Sequence, residues 1–309
     1  MARRRKGDPV SGWVCLNKPL NMGSTTAVGQ VRRAFNAQKA GHAGTLDPLA
    51  TGILPIALGE ATKTVAFLVD ADKSYRFTIV WGVTTASFDR EGAVTAISAV
   101  RPPRALVETA LADFVGEIDQ IPPTFSAVKV DGARAYDLAR AGIEVNLAPR
   151  PVTIHSARVT QANDADHVEI EIDCGKGTYV RALVRDLAER LGACGHVSAL
   201  HRSRVGPFTD AGAITLEFIG ELCDRGAPLE VLLPVETALD DIPALAVTTE
   251  DAFRLMQGRS IVLLPSQVET LRARLSASRT VSALQGTKIV ALCEMRAGRL
   301  NPTRVFHLT

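Results

Sequence analysis

Residues 73–82 alternate: Tyr75, Phe77, Ile79 and Trp81 fall on one side and Arg76 and Thr78 on the other, the period of a half-buried strand. Val168, Ile170 and Ile172 alternate with Glu169, Glu171 and Asp173 in the same way, predicting a strand that ends at Cys174. Gly175-Lys176-Gly177 then turns the chain into a helix over 178–191, with Arg181 on its first turn. Helical spacing governs two other stretches. Val28, Val31 and Phe35 follow a Ser24 or Thr25 cap and leave Arg32 and Arg33 on the wet side, while Leu106, Ala110, Leu111 and Phe114 form one stripe that stops before Gly116. Asp240-Asp241-Ile242-Pro243 reads as a connector, followed by a short helix over 249–256 and short strands punctuated by glycine. Strands and helices follow in irregular order, without a βαβ period or a 20- to 50-residue repeat, so the pattern predicts an α+β fold.

Composition narrows the class. With 309 residues, 46% of them hydrophobic, the chain has material for one large domain and a small one. No apolar run reaches the roughly 18 residues of a membrane span, and the basic start Arg3-Arg4-Arg5-Lys6 leads into Gly7-Asp8-Pro9 instead of an apolar signal core. Cys15, Cys174, Cys194, Cys223 and Cys293 are odd in number and lack a Cys-x-x-Cys pair, so reduced thiols in the cytoplasm are expected and no metal site is. The net charge of +2 conceals a polarity. Residues 1–41 hold eight basic and one acidic side chain, and residues 242–309 hold nine basic and four acidic, which leaves the middle at about −10. Two basic ends around an acidic middle suit a large folded polyanion that touches several surfaces. Arg3 to Lys6 also read as a solvated tail.

The chemistry concentrates in residues 41–52, Gly-His-Ala-Gly-Thr-Leu-Asp-Pro-Leu-Ala-Thr-Gly, where three glycines and a proline surround one carboxylate. Pro48 disfavours helical geometry at Asp47, and the glycines permit positive φ or close backbone approach, so the segment reads as a loop presenting one acid. Asp-Pro is also an ordinary helix N-cap and first-turn pair, and a lone His42 is as readily structural as functional.

That twelve-residue segment resembles the signature of the TruB family of pseudouridine synthases. Further blocks match in the family's order: Leu16-Asn17-Lys18-Pro19, Gly59-Glu60-Ala61-Thr62-Lys63, Lys73-Ser74-Tyr75, Ile121-Pro122-Pro123 through Lys129, and Gly175-Lys176-Gly177-Thr178-Tyr179-Val180-Arg181. The resemblance covers residues 11–235, and the basic end resembles a PUA module. It implies a catalytic domain built on a mainly antiparallel mixed sheet flanked by helices, over 11–241. A basic tail (1–10) precedes it, a thumb-like RNA-closing insertion (129–158) interrupts it, and a small β-rich PUA-like module (242–309) follows.

The activity implied is isomerisation of uridine 55 in the tRNA T loop to pseudouridine, with no cofactor, by a chain that acts as a monomer. Asp47 would be the catalytic carboxylate, Arg181 its partner and Tyr75 the platform on which the target uracil stacks. His42 would fill the space left by the flipped base, and Leu200 and Tyr179 would contact base or loop. Lys18, Lys63, Lys129 and Arg202 would bind RNA, with loop positioning as the other reading for Lys18 and Lys63. The C-terminal module would grip phosphates at the acceptor end through Arg254, Arg259, Lys288, Arg296 and Arg304. Three positions depart from the family pattern. His201 replaces a usual arginine, Ala86 a common aspartate, and Asn21-Met22-Gly23-Ser24 the familiar Gly-Met-Thr-Ser, changes expected to tune RNA affinity and leave catalysis intact. Two other readings share these residues: a tRNA-binding folding factor with secondary activity, and a guide-RNA-dependent synthase. A Walker loop, a Gly-x-Ser-x-Gly elbow and a Rossmann fingerprint are all missing from the sequence.

Overall fold

The alternation of residues 73–82 is realised as the central strand of a sheet. The computed structural model describes residues 7–126, 128–130, 133–134, 136, 143, 145–162, 164–275 and 279–308. In chain order the strands are β1 (Gly12–Lys18), β2 (Ala40–His42), β3 (Ala50–Leu58), β4 (Lys73–Trp81), β5 (Val83–Thr85), β6 (Val94–Ile97) and β7 (Gly116–Gln120). They continue as β8 (Lys129–Val130), β9 (Ala133–Arg134), β10 (Arg150–Gln161), β11 (His167–Cys174), β12 (Gly195–Val205) and β13 (Phe208–Thr209). The main sheet runs β1-β3-β12-β4-β11-β10-β7, with β2 added to β3 and β13 to β12. Every pairing in it is antiparallel except β3 with β12, so the sheet is mixed as expected.

One face of this sheet is covered by helices. They include α1 (Ser24–Ala34), and, after a short α2 (Val65–Asp70), α3 (Arg104–Ala112), α4 (Val180–Arg190) and α5 (Leu216–Asp224). Tyr75, Phe77, Ile79 and Trp81 of β4 and Val168, Ile170 and Ile172 of β11 all point into that layer, where they meet Val31, Val107, Leu111, Leu183 and Leu187. Burial supplies the stabilisation; an aliphatic or aromatic side chain taken fully out of water contributes roughly 1.5–3 kcal/mol. The α3 stripe differs from expectation by one residue. Leu106 is 56% exposed and Val107 is buried, because α3 begins at Arg104 and turns its 107–110–111 side to β10. Ser24 is not a cap either: Gly23 holds that position, and the Ser24 hydroxyl is bonded to Leu46 instead.

β1 and β3 are buried on both faces. Val14, Leu16, Leu54 and Ile56 enter the helical layer, whereas Trp13, Cys15, Ile53 and Ala57 point the other way and meet Phe208, Leu292 and Phe306. That second layer is where the C-terminal module docks. The module is a five-stranded sheet in the order β14-β16-β17-β18-β15, from β14 (Ala244–Ala246), β15 (Ile261–Val262), β16 (Thr280–Gln285), β17 (Lys288–Arg296) and β18 (Arg299–Val305). Beside the expected helix α6 (Thr249–Met256) it holds α7 (Pro265–Arg274), which the sequence pattern did not announce.

Of the insertion expected over 129–158, residues 150–158 are part of β10, paired on both sides inside the main sheet. Lys129 and Arg134 fall on the paired β8 and β9, and Asp131, Asp137, Arg140 and Glu144 lie outside the described residues, as does the tail Arg3 to Lys6.

Where β3 passes β12, Gly52 has φ +97, and a Cβ there would sit 2.3 Å from the Arg202 carbonyl oxygen. Gly52→Ala is expected to destabilise the protein by about 3 kcal/mol or more, from strain plus overpacking. Gly41→Ala, which has no atom within 4 Å of the added carbon, should cost under about 1 kcal/mol in the same urea titration.

Candidate active site

Residues 43–49 connect β2 to β3 without regular structure, so their polar main-chain groups must find partners elsewhere. Two buried cations provide three of them, and the Asn21 amide adds a bond to the Pro48 carbonyl at 2.8 Å. Lys18, fully buried at the end of β1, donates from Nζ to the carbonyls of Met22 at 2.7 Å, Pro19 at 2.9 Å and Pro48 at 3.4 Å. Arg202, 1% exposed on β12, donates to the carbonyls of Ile53 at 2.8 Å, Gly44 at 3.0 Å and Thr45 at 3.5 Å. The Ser24 hydroxyl donates to the Leu46 carbonyl and accepts from the Leu46 amide, both at 2.9 Å. Asp47-Pro48-Leu49-Ala50 closes as a turn in which the Ala50 amide donates to the Asp47 carbonyl at 3.0 Å. No helix follows Pro48, so the N-cap alternative does not apply to Asp47.

The loop holds the Asp47 carboxylate, 41% exposed, 2.8 Å from the Arg181 guanidinium. Arg181 sits on the first turn of α4, whose leading amide, that of Tyr179, is capped by the buried Gln120 side chain at 2.8 Å. A second carboxylate, Asp89, stands 3.6 Å from Arg181 Nε. Asp89 is buried and accepts from the Ser87 hydroxyl at 2.5 Å and the Glu91 amide at 3.0 Å. The guanidinium also donates to the carbonyls of Ser87 at 3.1 Å and Phe125 at 2.8 Å. Arg181 is thus fixed by four groups and shared between two acids, the exposed Asp47 and the buried Asp89.

A shallow cleft opens at this pair, lined by Asp47, Leu49, Ala50, Asp89, Arg181 and the β12 stretch Val197 to Leu200. β12 carries a bulge between Val197 and Ala199, an extra residue that bends the strand at the pocket wall. Tyr75 is the cross-strand partner of Arg202, 9% exposed, and burial pushes its hydroxyl pKa up while Arg202 beside it pulls the other way. His42 ends β2 below the loop; its Nδ1 is buried without a hydrogen bond of good geometry among the described residues, and burial holds the imidazole pKa down while the Gly44 main chain pulls the other way.

The candidates therefore divide. Asp47, Arg181 and Leu200 meet in the pocket, and Tyr75 and His42 flank the loop that carries Asp47. Lys18 and Arg202 are spent on carbonyls inside the protein, which places them as supports of the loop and not on a surface open to phosphate. Lys63 joins the two domains: Nζ donates to Glu60 at 2.5 Å and to the Val305 carbonyl at 2.7 Å, and lies 5.6 Å from the Phe306 ring centre. Tyr179 packs against Val128 and Leu147, beyond Arg181. Asp89, Gln120 and Ser24 were not anticipated. The stretch Thr84-Thr85-Ala86-Ser87-Phe88-Asp89 has no hydrophobic period, and only the folded pairing of Asp89 with Val197 brings it to Arg181.

Solved structures share this architecture. A Cbf5-Nop10-Gar1 complex superposes with TM-score 0.71 at 23% identity over 96% of this chain and 85% of that one. An H/ACA RNP bound to a substrate RNA containing 2'-deoxyuridine superposes with TM-score 0.72 at 20% identity, over 100% and 92%. The profile of the TruB family pseudouridylate synthase N-terminal domain matches residues 32–180, and that of the tRNA pseudouridylate synthase B C-terminal domain matches residues 181–240. The sheet with its single presented acid is therefore that of a pseudouridylate synthase. Tested against curated proteins, the chain is 68% identical to the tRNA pseudouridine synthase B of Caulobacter sp. (strain K31), over the whole of both chains. It is 48% identical to that of Ruegeria sp. (strain TM1040), over 99% of both. The chain belongs to the TruB family.

Two outcomes test this geometry. Arg181→Met leaves Asp89 buried without its cation and should lower the unfolding free energy by about 3–5 kcal/mol in urea titration. Burial lowers the pKa of both Lys18 and Lys73 to about 8, below the unfolded value. Between about pH 8 and 10.4 the unfolded chain then binds more protons than the folded one, so these two lysines make stability rise with pH through that window. Relative to wild type, Lys18→Met should flatten the rise; an unchanged slope from pH 7.5 to 10 would contradict the burial of the charge.

Proposed function

We propose that the chain isomerises uridine 55 in the T loop of tRNA to pseudouridine, with Asp47 as the catalytic group. The observation that carries this reading is a single exposed carboxylate, fixed by a braced loop beside Arg181, at the mouth of a small pocket walled by Ala50 and Leu200. The reaction breaks the N1–C1' bond, turns the uracil and joins C5 to C1'; C5 loses a proton and the freed N1 takes one up. It is redox-neutral, so no redox cofactor is needed. What it demands is one group able to stabilise or trap the sugar or base intermediate, and a carboxylate can do so as nucleophile or as base.

The target atoms are inaccessible within a folded T loop, so the nucleotide has to be extruded at a cost of a few kcal/mol. Base stacking on an aromatic ring contributes on the order of 1–3 kcal/mol toward that cost. In this reading Tyr75 is the stacking ring, Leu200 the apolar contact on the base, and His42 the group that takes the vacated place in the loop. Tyr179 contacts base or loop and Lys129 binds RNA in the same reading. The C-terminal module, which the sequence likens to a PUA domain, supplies phosphate contacts to the acceptor end through its excess of arginine. The enzyme is read as a monomer of the cytoplasm; among the described residues no helix is long and apolar enough to cross a membrane. The match over the whole length of a curated tRNA pseudouridine synthase B supports a tRNA substrate.

The test is tritium release from T-loop RNA labelled at uracil C5, comparing wild type with Asp47→Asn at equal, verified RNA binding. Release by wild type and none by the variant is expected. Equal release from both would remove the dependence on Asp47, and none from either would leave an RNA-binding folding factor or a guide-RNA-dependent synthase.

A further inference from the structure

One β12 residue beside the pocket has no part in the reaction just described. His201 is bonded at both ring nitrogens: Nδ1 lies 2.9 Å from the Thr51 hydroxyl, and Nε2 lies 3.0 Å from the Asp210 carboxylate. The Thr51 hydroxyl has a second acceptor, the Leu200 carbonyl at 3.5 Å. Thr51 and His201 are partners across the parallel β3–β12 pair, one step from Ala50 and Leu200 in the pocket wall. The other charged groups here are Arg76, the cross-strand partner of His201, held by Glu171 at 2.8 Å, together with Arg90 and Glu169, which line the adjoining groove.

These contacts determine what each protonation state does. Nε2–H donates to Asp210 in both. In the neutral imidazole Nδ1 carries a lone pair, so the Thr51 hydroxyl donates to it and is lost to the Leu200 carbonyl. When Nδ1 takes a proton from solvent it becomes the donor to the Thr51 oxygen, and the hydroxyl hydrogen turns to the Leu200 carbonyl. One proton therefore transfers one hydrogen bond from a side chain of β12 to its main chain at the pocket wall. An arginine at this position would have donors to spare for phosphate, whereas both nitrogens of His201 are already engaged.

We propose that His201 is a proton-sensitive positioning residue, setting the Leu200 wall of the pocket through Thr51 instead of contacting the RNA backbone. The rate measurement below rests on the isomerase reading; the resonance and binding measurements do not.

The experiment follows single-turnover isomerisation at saturating tRNA from about pH 5.5 to 8.5 for wild type, Thr51→Val and His201→Gln. Salt-dependent RNA affinity and the imidazole nitrogen resonances of histidine-labelled protein are measured alongside. Wild type should show one step of about three- to tenfold, the range set by one neutral hydrogen bond, and both variants should be flat. The salt slope should be the same for all three proteins, and Thr51→Val should move the Nδ1 resonance of His201 while leaving Nε2 in place. A step that survives in both variants overturns the proposal. So does a salt slope smaller by about one in His201→Gln, which would make the residue a phosphate contact. Should no isomerisation be found, an Nδ1 resonance indifferent to Thr51→Val overturns it on its own.

Discussion

The arrangement rests on two cations placed under an irregular loop. A segment that presents a carboxylate cannot also be helix or strand at that point, and its carbonyls would otherwise face a protein interior without donors, at about 1–3 kcal/mol for each one left unpaired. Lys18 and Arg202 meet that need with side chains long enough to reach several carbonyls from a neighbouring strand. Each cation is itself removed from water to do so, and for Lys18 the consequence is a pKa drawn down to about 8. The loop is therefore tied through these cations to the end of β1, to the turn that follows it and to β3.

The sheet divides its tasks by face and by edge. Helices cover one face, and the C-terminal module covers the other only beneath β1 and β3, through Trp13, Phe208 and Phe306. Lys63 and Glu60 fasten that contact from the rim, the lysine on the Val305 carbonyl and the glutamate on the His307 amide at 2.8 Å. The open part of the sheet lies beyond β3, where Arg76, Glu169 and His201 form a polar groove continuous with the pocket.

Strands with a clean period were legible, because one face of each is buried and a period of two cannot serve a helix. β4, β11, α1 and α4 came out near their true bounds, and Asp47 and Arg181 meet as the resemblance implied. The errors have physical causes. Periodicity puts Leu106 in the core because it cannot separate it from Val107 without the helix start, and residues 150–158 of β10 fall within the insertion because only the family resemblance bounds it. Of the two readings for Lys18, loop positioning fits its carbonyl partners, whereas Arg202 reads as an RNA ligand because a charge is normally outside. Asp89 and Gln120 reach Arg181 and α4 through tertiary pairing, which leaves no local mark.

Leu200 and Arg202 stand two residues apart on the same side of β12, one forming the pocket wall and the other holding the loop that carries Asp47. Wall and loop support are consequently tied to one stretch of main chain, their Cα atoms about 6.8 Å apart. A change in the twist of β12 moves both together, whereas a change of rotamer moves only one of them.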